Sequence, residues 1–197
     1  MHSSNTTYNS NFTAGGLLHQ EFLALKPIIQ SDEIHTLLEQ EKQENKYIAI
    51  KSLGARKRII PQIKARISAV DQSFWSEFYR WSDGEQKLGL FFVALKTYRL
   101  LFELHWEVAL KKFRTGSKLD SYAITMFMDE LSSRNDEVAS WSEATLDKIN
   151  SRYRKALTDA GLLKNKKLFT PNGIDESFWE YFKNSNESWF LEACFIK

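Results

Sequence analysis

Three stretches of this 197-residue chain gather most of its positive charge. Residues 46–70 carry seven lysines and arginines and no acid, residues 111–118 carry four and none, and residues 148–167 carry seven against Asp159 alone. Cationic side chains with few neighbouring carboxylates are suited to holding polyanions, above all the phosphate backbone of a nucleic acid. The formal net charge of +2 conceals this segregation, because the rest of the chain is strongly acidic. A single basic run is usually a solvated helix face; three of them make a polyanion site the better expectation.

The last run has the clearest local organisation. Ser140 or Ser142 can cap a helix running to Ala160, with Ser140 and Glu143 at capping-box spacing and Gly161 as its stop. Leu146, Ile149, Tyr153, Leu157 and Ala160 follow the 3.6-residue period as a buried stripe, and Lys148, Ser151, Arg152 and Lys155 project from the other side, with Arg154 nearby. After Gly161, Leu162-Leu163, the polar turn Lys164-Asn165-Lys166-Lys167 and Leu168-Phe169-Thr170-Pro171 read as a short hairpin with a basic tip. Helix plus hairpin suggests a winged-helix-like unit, whose helix enters the major groove while Lys164, Lys166 and Lys167 touch phosphates. Ser151 and Asn150 are the side chains available to read bases, so sequence specificity is expected to be low.

The first run is less ordered. Ile59, Ile60, Ile63, Ile67 and Val70 mark a buried stripe, Lys57 and Lys64 share one flank, Arg58 and Arg66 point elsewhere, and Arg56 falls near the stripe. Arg56, Lys57 and Arg58 form an expected second patch, with Lys64 and Arg66 as further candidate contacts.

Catalytic chemistry finds little support. His2, His19, His35 and His105 are isolated from one another and from any cysteine at metal-ligand spacing. Residues 13–16 lack the Gly-Lys-Ser/Thr ending of a phosphate loop. Adjacent acid pairs such as Asp129-Glu130 point to different helix faces and make no shared-proton dyad. No enzyme, metal or cofactor is expected.

The elements that must position the cations read as mainly α. Thr13 is a candidate cap for a helix carrying Leu17, Leu18, Phe22 and Leu25, which Pro27 must end or kink; Ser31 caps the next. Ser52 caps the basic helix, with a kink or break at Pro61; Asp71 caps an aromatic helix, and Asp83-Gly84 is a turn signal. Residues 85–113 are apolar on nearly every face and form the central core element, with Thr97 the place for a break. A helix from about Asp120 to Ser132 buries Tyr122, Ile124, Phe127, Met128 and Leu131. The expected architecture is a multi-helix bundle with a C-terminal winged-helix-like unit containing a short β-hairpin, divided into residues 1–115 and 116–197. With 14 Phe, 7 Tyr and 6 Trp, aromatic packing should dominate stability. The lone Cys194 excludes an intramolecular disulfide and fits a reducing cytoplasm. The polar N-terminus shows no secretory signal, and the longest apolar run, residues 88–95, is far short of a membrane span.

Residues 8–18 (Tyr8-Asn9-Ser10-Asn11-Phe12-Thr13-Ala14-Gly15-Gly16-Leu17-Leu18), the segments Arg56-Lys57-Arg58 and Lys64-Ala65-Arg66, and the stretch from Ser142-Glu143-Ala144-Thr145 through Ala160-Gly161-Leu162-Leu163 together resemble the BrxA family of bacteriophage exclusion (BREX) defence systems. The resemblance spans almost the whole chain. It implies a small helical, non-enzymatic component that binds double-stranded DNA, with other BREX defence proteins, among them a methyltransferase and an ATPase, as possible partners. It supplies no catalytic residue. Two alternatives stay open at this point: an RNA-binding helical bundle of the antitermination-factor type, and a protein–protein adaptor within the defence complex.

Overall fold

The computed structural model describes residues 7–196; His2 lies outside them. The chain opens with a 3-10 turn, Asn11–Ala14. Leu18 adopts a left-handed conformation (φ 58°), so helix α1 begins at His19 and Thr13 caps nothing. Helix α1 (His19–Ala24) is followed by α2 (Lys26–Ile29), in which Pro27 occupies the first turn, where its missing N–H is no loss. Ser31 accepts from the Glu33 N–H at 3.1 Å ahead of α3 (Ile34–Glu44), and Asn45 closes α3 at φ 54°. The buried carboxylate of Glu41 then collects the N–H groups of Lys46, Tyr47 and Ile48, giving the connecting loop partners that no secondary structure provides.

Ser52 caps α4 (Leu53–Ile67), accepting from Ala55 at 3.3 Å. Contrary to expectation, Pro61 neither ends nor splits α4; it sits on the exposed side, where the carbonyl it leaves without a partner can face water. Helix α5 (Gln72–Phe78) follows. The expected turn at Asp83-Gly84 is instead the first turn of α6 (Asp83–Thr97), started by a capping box between Ser82 and Glu85. The long apolar element does break after Thr97: Tyr98 is extended, and α7 (Arg99–Leu104), a wider π turn (His105–Leu110) and α8 (Lys111–Arg114) complete it.

Asp120 caps α9 (Ser121–Arg134) and Asn135 caps α10 (Asp136–Ala139). Ser142, not Ser140, caps α11 (Glu143–Asp159), accepting from Thr145 at 3.3 Å. The hairpin pairs β1 (Leu163–Lys164) with β2 (Lys167–Leu168) antiparallel, Leu163 opposite Leu168 and Lys164 opposite Lys167. Asn165 and Lys166 both have positive φ, the mirror-image two-residue turn that matches strand twist. Helices α12 (Glu176–Asn184) and α13 (Trp189–Ala193) close the described chain. The fold is therefore mainly α, with one short hairpin among the described residues. Among the described residues, no helix is long and apolar enough to cross a membrane.

Buried residues on both sides of Gly116 belong to one contiguous cluster. Its densest part is aromatic: Trp81 meets Phe178 at 4.8 Å, and Phe92 meets Phe182 at 4.9 Å and Phe190 at 5.1 Å, tying α12 and α13 to α6. Tyr122, expected in the core, is 70% exposed.

Candidate nucleic-acid interface

Two of the basic runs meet in space. Helix α4 turns Ile59, Ile60, Ile63 and Ile67 inward, which leaves Lys57 and Arg58 outside. Helix α11 buries Ile149, Tyr153, Ala156 and Leu157, which exposes Lys148, Ser151 and Lys155 and leaves Arg152 half-buried. Both helices pack against the 3-10 turn. Between them lies a groove of about 390 Å³ into which Lys57, Arg58, Lys148 and Arg152 converge, with Asn11 and Thr13 from the turn and Gln62 supplying neutral polar groups. None of these four cations forms an ion pair among the described residues. Patches that looked separate along the sequence thus form one unneutralised site.

The groove depends on a buried arginine. Arg66 is fully enclosed, its guanidinium donating to the carbonyls of Gly16 at 2.6 Å and Leu17 at 3.0 Å and to the Tyr98 hydroxyl at 3.1 Å. It fastens the segment behind the 3-10 turn to α4. Arg66 is therefore a structural residue, and its place among the expected phosphate contacts is withdrawn. Arg56 is corrected for the same reason: it is buried and donates to the carbonyls of Lys42, Gln43, Ile50 and Lys51, which knit the α3–α4 loop.

The remaining candidates divide by their partners. Lys64 is paired with Glu39, which also holds Lys42; these contacts pull the Glu39 carboxyl down to about 2. Lys155 pairs with Asp159 at 2.6 Å, one turn further along α11. Arg154 donates to Asn150 Oδ1 at 3.0 Å, while the Asn150 amide donates to the Ser121 carbonyl at 2.9 Å. Asn150 is buried, which removes it as a base reader; Ser151 remains exposed. Lys164, Lys166 and Lys167 are exposed on the hairpin. In the middle basic run, Lys111 pairs with Glu107 and Arg114 with Glu192.

The groove residues that sequence reasoning passed over are Asn11, Thr13 and Gln62. No charge pattern marks them, and only the packing of the turn between two distant helices brings the first two there.

The BrxA family model matches residues 6–186. The chain belongs to the BrxA family. A protein of Bacillus cereus (strain H3081.97) described as BREX protein BrxA is 24% identical over 161 residues, 81% of this chain and 80% of its own. In fold, this BrxA-family chain is similar to an uncharacterized protein from Magnetospirillum magneticum, with a TM-score of 0.75 at 16% identity over 95% of this chain and 97% of the other.

Elsewhere in this BrxA-family chain the polar groups are largely spent. A larger groove of about 1390 Å³ lies between α7 and α9 and mixes both signs of charge: Arg99 pairs with Glu103 at 2.7 Å and Arg134 with Glu130 at 3.4 Å, and Asp120 and Asp129 also line it. Tyr8 donates to Glu103 at 2.6 Å, and burial together with that carboxylate pushes its hydroxyl up to about 12. His19 lies 3.1 Å from Gln86. His105 is enclosed, Nδ1 at 2.8 Å from the Tyr153 hydroxyl and Nε2 at 2.7 Å from the Ala193 carbonyl. A carbonyl can only accept, so Nε2 carries the proton and Nδ1 accepts from Tyr153. Burial pushes the imidazole down to about 4, keeping it neutral. Among the described residues no group of three or more His, Cys, Asp and Glu is arranged to hold a metal ion.

Proposed function

We propose that the chain is a non-enzymatic component of a BREX phage-defence system that binds double-stranded DNA through phosphate contacts with low sequence specificity, beside other BREX proteins. The observation that carries the DNA reading is the convergence of Lys57, Arg58, Lys148 and Arg152 on one groove without carboxylate partners. Gathering four like charges costs electrostatic free energy in the free protein, and a polyanion relieves it. Exposed Ser151 on α11 adds a neutral polar group, and the exposed hairpin lysines Lys164, Lys166 and Lys167 add further positive charge. The BREX assignment rests on family membership and on the name of the Bacillus cereus relative.

The test is fluorescence anisotropy of a labelled duplex across a salt series, repeated with single-stranded RNA as competitor. Duplex binding that weakens steeply with salt and resists RNA competition is expected. Preferential displacement by RNA would favour the antitermination-like alternative. Absence of binding to either polymer at low salt would leave the adaptor reading in its place.

A further inference from the structure

The hairpin keeps an arrangement that folding alone does not favour. Lys164 and Lys167 are direct partners across the two strands, where like charges repel. Lys166 holds φ 65°, a conformation that side chains other than Gly, Asn and Asp seldom adopt. The tip is also docked: the Leu119 N–H donates to the Lys166 carbonyl at 2.8 Å, and Leu119 is fully buried. That bond sets Lys118, exposed and one residue earlier, beside the tip. None of these four lysines forms an ion pair among the described residues.

We propose that Lys118 joins Lys164, Lys166 and Lys167 in a second phosphate-holding site, and that this site and the α4–α11 groove grip one DNA duplex at the same time. The proposal rests on the duplex-binding reading above. From Lys148 to Asp159, the end of α11, the helix rises roughly 17 Å at 1.5 Å per residue. Duplex DNA rises about 3.4 Å per base pair, so the two sites stand roughly five base pairs apart. The exposed Ser151 and Thr158 lie along the helix between them. A polymer with regularly spaced phosphates satisfies both sites; a mononucleotide reaches only one.

The chain's single cysteine, Cys194, is buried and burial raises its thiol well above the ordinary range, so a cysteine introduced on the surface can be labelled selectively. Wild-type duplex binding is measured first; if it is absent, the underlying reading has failed and this one falls with it. Given binding, Lys118→Gln should lower the magnitude of the salt slope by about 0.9, the value of one phosphate contact. The same change at Lys183, which pairs with Glu176 on α12, should leave it in place. A photo-crosslinker on Lys118→Cys should form a DNA adduct whose yield drops when Lys148 and Arg152 are both changed to glutamine. An unchanged slope with no adduct would remove Lys118 from the surface. An adduct indifferent to the groove changes would show two sites that do not share a duplex.

Discussion

Replacing Lys148 and Arg152 together with glutamine removes half of the groove's charge while sparing its packing. Arg152 is half-buried, so part of its stem is packed; glutamine keeps most of that stem, and alanine would not. If the four groove cations each neutralise one phosphate, they contribute about −3.6 to the slope of log K against log salt. That share alone lowers affinity roughly 150-fold between about 50 and 200 mM salt. Losing two contacts cuts the share to about −1.8 and its drop to roughly 12-fold, whatever the hairpin adds. Anisotropy titrations of a labelled duplex at several salt concentrations read the slope directly, with thermal melts confirming that the variant is folded. A folded variant that keeps the wild-type slope would refute the assignment of these side chains to phosphate. A variant that binds more weakly at the same slope would refute it too, since lost phosphate contacts must release fewer counterions.

Arg66→Met leaves the carbonyls of Gly16 and Leu17 without their buried donor and should cost roughly 3 kcal/mol, visible as a lower midpoint in denaturant unfolding. His105, neutral when folded down to about pH 4, titrates near 6.5 in an unfolded chain, so the unfolded state binds more protons between those values. Stability should therefore fall as pH drops through that window, by about 3 kcal/mol at its lower end. Unfolding free energies measured across the window should lose that slope in His105→Gln. Gly89→Ala would set a methyl 2.8 Å from Trp81 Cζ3, inside the aromatic cluster, and should lower stability by about 1–3 kcal/mol in the same assay.

What the sequence made legible followed periodicity and capping. The isoleucine stripe of α4 and the alternation of buried and charged positions on α11 are local consequences of 3.6 residues per turn, and they predict which cations face outward. The basic hairpin was readable from Gly161, the polar turn and the flanking leucines. What stayed hidden was long-range. Arg56 and Arg66 carry the same charge as Lys57 and Arg58, and only tertiary packing shows that their guanidiniums are consumed by backbone carbonyls. Asn150 lies on the helix that carries the exposed cations, yet Ser121 of α9 draws its amide inward. The meeting of α4 and α11 depends on the 3-10 turn between them, whose residues carry no periodic signal. Pro61 misled because a helix on the surface tolerates a lost hydrogen bond that a buried one does not.

The way α13 closes the core bears on how the chain is made. Phe190 packs on Phe92, and the Ala193 carbonyl accepts from His105 Nε2–H, so partners synthesised early wait for the last described helix. During translation, α6 and α7 leave the ribosome with apolar faces that α13 covers only later, across 88 residues in the case of His105 and Ala193. A nascent chain paused before residue 189 would expose Phe92, Phe102 and His105 together, a surface suited to chaperone capture or aggregation. Folding of the core should therefore wait for α13, with the α4–α11 groove assembled only once its second wall has emerged.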